Sequence, residues 1–252
     1  MTTRRFALAT IVLPLTLALA ACNGDDAEDA GSLPMADPIA DIAAPEGQSW
    51  VETVEVSEYD GYVMGNPDAP IKVVEYASLT CPACAAFATN GAEQLRDQYV
   101  ASGVVSWELR NQIHGIYDLT LAALARCGAN ESFHPLADQV WMNLPQVQQN
   151  IQAGNQRIQA QGDIPEAQRF LVIADAAGMF DFFAARGIAR DQAAQCLSDT
   201  ESVMAIGERS DQQSEEFGVT GTPTFFVNGA RVDGITWNDL EPALQRVGAR
   251  DE

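Results

Sequence analysis

A stretch of about 100 residues without β-like pattern separates two short β-rich segments of this 252-residue chain. Between Tyr117 and Phe217, apolar residues recur at helical spacing. A strand, a helix and a second strand are predicted before this block, and two strands and a closing helix after it. This order predicts an α/β domain with inserted helices, whose first strand–helix–strand unit is parallel and right-handed.

The segments that flank the block carry clear strand and turn signals. Ile71–Ala77 is rich in β-branched residues, a helical pattern runs from Cys81 to about Tyr99, and Val104–Leu109 is the next strand candidate. Later, Asn228-Gly229 lies between two short apolar runs, which is a strong local signal of a β-hairpin. The closing helix is predicted from Asp239 to Val247.

The chain is strongly acidic, with 35 acidic residues, 14 basic residues and a formal net charge of −21. Such a surface repels phosphate backbones and anionic headgroups, so nucleic-acid binding and electrostatic attachment to membranes are disfavoured. Eleven of the acids lie in residues 23–60, which hold no base. This composition predicts a flexible, self-repelling tether over residues 22–49.

The first 22 residues have the features of an export signal. Arg4 and Arg5 precede a weakly polar run of 16 residues, which is short for a membrane span. Leu19-Ala20-Ala21-Cys22 resembles the lipobox of bacterial lipoproteins, in which the cysteine is acylated. We therefore expect residues 1–21 to be a signal peptide and Cys22 to anchor the protein at the periplasmic face of a cell-envelope membrane. An ordinary cleavage site before a cysteine is the alternative.

Two of the five cysteines form the motif Cys81-Pro82-Ala83-Cys84 between a predicted strand and a predicted helix. There the first cysteine faces the unpaired N–H groups and the positive end of the helix, which stabilise a thiolate. Pro82 loses no hydrogen bond at the first helical position. The pattern favours a redox-active pair without metal or cofactor, with an inert buried pair as one alternative.

A zinc site is the other alternative interpretation of this motif. It would need two further ligands, and neither the spacing of the remaining cysteines nor that of the histidines matches a zinc motif. The candidates for those ligands are Cys127, Cys196, His114 and His134. The two histidines are instead expected at the surface or at helix caps.

Four motifs in this order resemble the landmarks of DsbA-like thiol-disulfide oxidoreductases. They are Gly65-Asn66-Pro67-Asp68-Ala69-Pro70, Val74-Glu75-Tyr76, Cys81-Pro82-Ala83-Cys84 and Gly221-Thr222-Pro223-Thr224-Phe225. The resemblance covers about residues 50–250. It implies a thioredoxin-like domain built from residues 50–116 and 218–252, with an inserted all-helical domain at residues 117–217.

The resemblance also implies roles for individual residues. Cys81 would be the exposed sulfur that attacks and is attacked, and Cys84 the buried resolving thiol. Thr222-Pro223 would form a cis-proline loop that faces them, with the Thr222 backbone pairing with substrate. Glu75 matches a buried acid that exchanges a proton with Cys84, and an edge-strand carboxylate is the alternative. Arg110 is a candidate partner of Glu75, and a surface arginine is the alternative.

The function implied by the resemblance is the introduction of disulfides into reduced exported proteins. The enzyme would act as a monomer and be recycled by a membrane redox partner. Ala83 stands where a histidine is often found, and Thr222 stands where the best-known oxidases have valine, which together suggest a milder oxidant. A reductase or isomerase stays open, as does an anchored copper-binding protein without turnover.

The remaining cysteines and aromatic residues are assigned to structural roles. Cys127 and Cys196 lie on different predicted helices, and leftover thiols in an oxidising compartment usually pair, so we expect a structural disulfide. A second redox couple is the alternative. The aromatic residues of the helical block are expected in its core: Trp141, Phe170, Phe180, Phe182 and Phe183.

Overall fold

The computed structural model describes residues 33 and 35–249. In this part of the chain, six strands form one sheet in the order β1-β2-β4-β3-β5-β6. The strands are β1 (Val54–Val56), β2 (Tyr62–Gly65), β3 (Ile71–Ala77), β4 (Val105–Asn111), β5 (Thr224–Val227) and β6 (Ala230–Arg231). The central strands β3 and β4 are parallel, and the other neighbouring pairs are antiparallel.

The two central strands determine where the loop after β3 lies. Their register runs from Ile71 opposite Val105 to Ala77 opposite Asn111, so both carboxyl ends reach the same edge of the sheet. The crossover between them contains α1 (Pro82–Asn90), α2 (Ala92–Gln94) and a π-helical segment, Leu95–Val100. The sequence predicts one continuous helix here. The structure interrupts it at Gly91, whose φ of −135° is not helical.

Helices fill the chain between β4 and β5, and the predicted α/β class with a helical insertion is confirmed. They are α3 (Ile116–Ala125), α4 (Phe133–Met142), α5 (Leu144–Gln161), α6 (Arg169–Ala176), α7 (Met179–Ala184), α8 (Arg190–Ser198) and α9 (Thr200–Phe217). Four of the five predicted core aromatics are buried, and Phe182 is half-buried. No helix in the described ranges is long and apolar enough to cross a membrane.

The C-terminal hairpin forms where the sequence predicts it. Asn228 and Gly229 have φ values of 48° and 82°, the left-handed conformation that a tight hairpin turn requires. The last helix, α10 (Trp237–Arg246), begins earlier than predicted. Asp239 is its third residue, and its side chain caps the helix together with Thr236, so the acid marks the first turn rather than the start.

The acidic segment before β1 is held against the domain over part of its length. The Ile39 amide donates a hydrogen bond of 2.9 Å to the Gly248 carbonyl, and the Ile42 amide donates one of 2.8 Å to the Ser102 carbonyl. The Ile39 side chain also packs against the core. The sequence places this stretch in the flexible tether of residues 22–49. Main-chain hydrogen bonds give it fixed partners that composition does not reveal.

Candidate active site

The motif Cys81-Pro82-Ala83-Cys84 lies at the sheet edge where β3 ends and α1 begins. Cys81 is the N-cap residue of α1, and Pro82 is its first helical residue. Both cysteines are free thiols. Cys84 is fully buried, whereas 8% of the Cys81 surface is exposed. Cys81 is therefore more enclosed than the sequence implied, but of the two sulfurs it is the one that a substrate can reach.

Cys81 has the properties of a stabilised thiolate. A hydrogen bond from the Cys84 thiol lowers the pKa of Cys81 to about 5, against the opposing effect of burial. The Thr222 side chain and the backbone N–H groups of Cys84 and Ala83 contribute to the same lowering. At neutral pH Cys81 is consequently ionised. A thiolate attacks disulfides, and a thiolate of low pKa is also a good leaving group.

Cys84 behaves in the opposite way. Burial raises the pKa of Cys84, and its hydrogen bond to Cys81 and the charge of Glu75 raise it further. A buried thiol next to negative charge keeps its proton. The reduced pair therefore holds one proton, on Cys84, and one negative charge, on Cys81.

The Thr222–Pro223 loop faces this pair. Its peptide bond is cis, and Cys81 Sγ lies 3.4 Å from the Thr222 carbonyl oxygen, which accepts a hydrogen bond from Cys81 when Cys81 is protonated. The loop is brought here by β5, which immediately follows it and pairs antiparallel with β3. Residues that are far apart in the sequence thus form one site at the carboxyl end of β3.

Glu75 lies in the central strand β3 and is 1% exposed, which excludes the edge-strand alternative. Its Oε2 accepts a hydrogen bond of 3.1 Å from Trp107 Nε1. Among the described residues, Glu75 Oε1 has no hydrogen-bond partner. Burial raises the pKa of Glu75 to about 8, although the Trp107 hydrogen bond opposes this. A carboxylic acid with this pKa can give a proton to Cys84 and take it back near neutral pH.

Arg110 is not the partner of Glu75, so this expectation was wrong. In the β3–β4 register, Arg110 lies opposite Tyr76, one position beyond Glu75, so its side chain lies on the other face of the sheet. Its guanidinium donates to both carboxylate oxygens of Glu108 and to the Tyr76 hydroxyl, each at 2.8 Å. The strand register decides which face a side chain occupies, and neither strand specifies it alone.

Helix α4 contributes two titratable side chains that the sequence did not place near the site. Asp138 lies 3.7 Å from Arg96, burial raises its pKa to about 6, and its charge acts on Glu75. His134 is buried, so the expectation of a surface or capping residue was wrong. Its Nε2 pairs with the Tyr62 carbonyl at 2.9 Å, and burial lowers its pKa to about 4.

A polar cluster around Asp118 connects the loop before Cys81 with the loop after β4. The buried carboxylate of Asp118 accepts hydrogen bonds of 2.9 Å from the backbone amides of Leu79 and His114. The exposed His114 side chain places Nε2 3.4 Å from the Thr222 hydroxyl oxygen. No sequence motif of the cysteine site includes Asp118 or His114. Asp118 is an acid inside the apolar helical run of α3, and this pattern could have indicated a buried carboxylate with hydrogen-bond partners.

The other predicted sites lie away from this edge or outside the described residues. Cys127 and Cys196 are joined by a disulfide within the helical insertion, with Cα atoms 6.1 Å apart. Cys22 and the predicted signal peptide lie outside the described residues. Within residues 33 and 35–249, no group of three or more His, Cys, Asp or Glu side chains could hold a metal ion.

Residues 57–246 match a protein-family model described as Thioredoxin. The chain belongs to the thioredoxin family. A solved protein-disulfide isomerase from Novosphingobium aromaticivorans is 29% identical to this family member, with a TM-score of 0.66 over 73% of this chain and 94% of that chain. Alpha-DsbA1 of Wolbachia pipientis shares the fold at 19% identity and a TM-score of 0.59, over 75% of this chain and 91% of that chain.

Curated relatives point in the same direction. A protein from Rickettsia bellii, provisionally named a protein-disulfide oxidoreductase, is 27% identical over 80% of this chain and 70% of its own length. In other curated relatives, the region matched by this chain covers 60% to 72% of the relative's length. Fold, site geometry and relatives agree on a thiol-disulfide oxidoreductase in the thioredoxin family.

Replacing Glu75 by glutamine tests whether burial raises the pKa of Glu75. The folded protein holds the Glu75 proton up to about pH 8, whereas an ordinary glutamate releases it near 4.5. Wild-type stability should therefore fall as pH rises through this window, because the unfolded chain is stabilised by releasing this proton whereas the folded protein keeps it. Glutamine cannot ionise, so Glu75→Gln should be increasingly more stable than wild type from about pH 4.5 to about 8.

Urea unfolding of both proteins in the same redox state, at several pH values across the window, measures this difference. Matching the redox state cancels the titration of Cys81, which has a lowered pKa and the opposite pH dependence. A difference in unfolding free energy that is constant from pH 4 to about pH 9 would contradict the assignment.

Proposed function

We propose that this thiol-disulfide oxidoreductase oxidises cysteines of exported proteins and works while anchored to a membrane through Cys22. The observation that carries the direction of the reaction is the asymmetry of the cysteine pair. Hydrogen bonds stabilise the Cys81 thiolate, which exists only in the reduced enzyme. Stabilising the reduced form makes the oxidised form the stronger oxidant, so electrons flow from substrate to enzyme.

The reaction starts from a disulfide between Cys81 and Cys84. A substrate thiolate attacks Cys81 Sγ, the enzyme disulfide breaks, and Cys84 leaves with the bonding electron pair and takes a proton from Glu75. A second substrate thiolate then attacks the substrate sulfur of the mixed disulfide, and Cys81 leaves as its stable thiolate. The substrate has lost two electrons and gained a disulfide. A membrane redox partner removes the two electrons, the disulfide between Cys81 and Cys84 forms again, and Cys84 returns its proton to Glu75.

An apolar groove beside the cysteine pair suits an extended, unfolded substrate. The groove has a volume of about 370 Å³, with Ala83 and Phe87 of α1 among its lining residues, together with Ile235 and Trp237. Ile235 is 46% exposed and also borders the cleft around Pro223. A peptide backbone lying at Pro223 would place an apolar side chain in this groove, as in other peptide sites that combine backbone pairing with side-chain pockets.

The reduction potential of Cys81/Cys84 tests the direction of the reaction. Equilibration with glutathione, followed by alkylation and mass measurement, should give a value above about −200 mV, between glutaredoxins and DsbA. The oxidised protein should also form the disulfide of a reduced dithiol peptide in stoichiometric amounts. A potential near −270 mV, the value of thioredoxin, would make the protein a reductase and overturn the proposed direction.

Disulfide isomerisation is a second candidate, favoured by the similarity to the Novosphingobium protein. An isomerase acts from its reduced form, because a free thiolate must attack a wrong substrate disulfide. Reduced protein and a scrambled substrate, mixed without oxidant, measure this activity. Recovery of native substrate under those conditions, at a rate above that of glutathione alone, would favour isomerisation over net oxidation.

The anchor and the location are supported by the position of Cys22 directly after the apolar run of the export signal. In cells that produce the full chain, fatty-acid labelling should mark the wild type and not Cys22→Ala. In cells with a permeabilised outer membrane and an intact inner membrane, a thiol reagent that cannot cross the inner membrane should label Cys81. Labelling of Cys22→Ala equal to the wild type would overturn lipidation at this residue.

A further inference from the structure

The exchange chemistry described above leaves one titratable side chain at the rim of the site unused, namely His114. We propose that His114 is a positioning residue for disulfide exchange, because its imidazole donates to the Thr222 hydroxyl oxygen and so directs the Thr222 proton toward the Cys81 sulfur. The proposal rests on the proposed function, since it concerns the same thiolate. It adds a residue from a loop that the cysteine motif does not include.

Two contacts connect His114 with Thr222 and Thr222 with Cys81. His114 Nε2 is 3.4 Å from Thr222 Oγ1, and Cys81 Sγ is 3.4 Å from the Thr222 carbonyl oxygen. A hydrogen bond from the Thr222 side chain is also one of the causes that lower the pKa of Cys81. Hydrogen bonds at catalytic sites are often long in the free enzyme and shorten when substrate binds.

A threonine hydroxyl has a single proton, so it can donate to one acceptor at a time. If the His114 Nε2 atom accepts that proton, the Cys81 thiolate loses a donor. If Nε2 itself carries a proton, it donates to Thr222 Oγ1, and the hydroxyl proton is free to reach Cys81. Either ring nitrogen of an imidazole can carry the proton.

The backbone around His114 is fixed by a buried carboxylate. Asp118 accepts from the His114 amide and from the Leu79 amide, so one side chain positions both the His114 loop and the loop that leads to Cys81. Asp118 is the titratable group of α3 that contacts the His114 backbone. From α9, the neighbour of this loop is neutral, because the Ser210 hydroxyl accepts a hydrogen bond of 2.8 Å from the Ile113 amide.

The cysteine motif itself offers no side-chain donor for this purpose. Its two central residues are Pro82 and Ala83, neither of which has a polar side-chain atom. Outside the motif, Thr222 is the residue whose hydrogen bond lowers the pKa of Cys81. A side chain that orients the Thr222 hydroxyl therefore acts on the Cys81 thiolate indirectly.

A double-mutant cycle tests the proposal, with the pKa of Cys81 in the reduced full-length protein as the readout. The thiolate absorbance in the ultraviolet is followed against pH for wild type, His114→Ala, Thr222→Val and the double variant. His114→Ala should raise the Cys81 pKa by about one unit, a tenfold change in the ratio of thiolate to thiol. In the Thr222→Val background, the same substitution should change it by less than about 0.3 unit.

The conservative variant His114→Gln separates hydrogen bonding from charge. Its amide can donate to Thr222 Oγ1 without a positive charge, so it should keep at least half of the effect that His114→Ala removes. Equal pKa shifts for His114→Ala in both Thr222 backgrounds would show a direct charge effect and overturn the proposal. No shift in either background would overturn it as well. His114 is exposed and its backbone bond to Asp118 survives substitution, so these variants are expected to fold.

The titration does not depend on turnover, which keeps this proposal separate from the proposed function. If the wild type fails to oxidise dithiol peptides while the cycle gives the expected coupling, the direction of the reaction is wrong and the role of His114 stands. If the wild type oxidises peptides and the cycle shows no coupling, the function stands and His114 has no positioning role.

Discussion

Cys84→Ser is expected to turn the protein into a covalent trap for its substrates. Cys81 keeps its stabilised thiolate character through Thr222 and the backbone amides, so it still attacks disulfides. Without Cys84 no enzyme thiol can attack Cys81 and resolve the mixed disulfide, which then depends on a substrate thiol and persists longer. Non-reducing electrophoresis of acid-quenched cells should show adducts at least about tenfold more abundant than in wild type, and a reductant should remove them.

Two controls assign the trap to Cys81. Cys81→Ser should form no adducts, because Cys84 is fully buried and keeps its proton. Adding Cys127→Ser and Cys196→Ser to the Cys84→Ser variant should leave the adducts in place. Adducts of equal abundance in Cys81→Ser would reverse the roles given to the two cysteines.

Removing the bridge in the helical insertion is expected to cause the largest loss of stability. The disulfide joins residues that are 69 positions apart. Closing a loop of that length lowers the entropy of the unfolded chain, which corresponds to about 4 kcal/mol in the chain-entropy model. The double variant Cys127→Ser/Cys196→Ser should lose about this much free energy of unfolding in urea, with Cys81 and Cys84 in the same redox state as in wild type.

The same variant separates a structural bridge from a second redox couple. The bridge lies in the helical insertion, and Cys81 receives none of its hydrogen bonds from Cys127 or Cys196. Exchange rates and the Cys81 pKa should therefore stay close to the wild type. A stability loss below about 1 kcal/mol would argue against the structural role. A collapse of exchange activity in folded protein would instead assign electron transfer to this pair.

The local parts of the site could be predicted because they depend on neighbouring residues. A proline after a cysteine at a strand-to-helix junction specifies the N-terminus of α1, and the structure begins α1 at Pro82. Asn228-Gly229 specifies a tight turn by its backbone preferences alone. The approach of Thr222 to Cys81 was implied by family resemblance, since no local rule joins residues separated by 141 positions.

The parts that could not be predicted depend on long-range geometry. The partner of Glu75 is Trp107 rather than Arg110, because the β3–β4 register puts Trp107 on the Glu75 face. His134 is buried because α4 packs it against the Tyr62 carbonyl, a neighbour 72 positions away. The contact of His114 with Thr222 likewise spans 108 positions. Single-sequence patterns define faces of elements but not which faces meet.

The docking of Ile42 onto Ser102 decides where the acidic segment before β1 enters the domain. Ser102 precedes β4 and Cys81 follows its parallel neighbour β3, so a strand of seven residues, or roughly 23 Å, separates them. The segment thus joins the domain at the end remote from the cysteine pair. Neither the groove at Ala83 nor the cleft around Pro223 is lined by residues 33 or 35–49, so the described part of this segment leaves the catalytic face open to substrate.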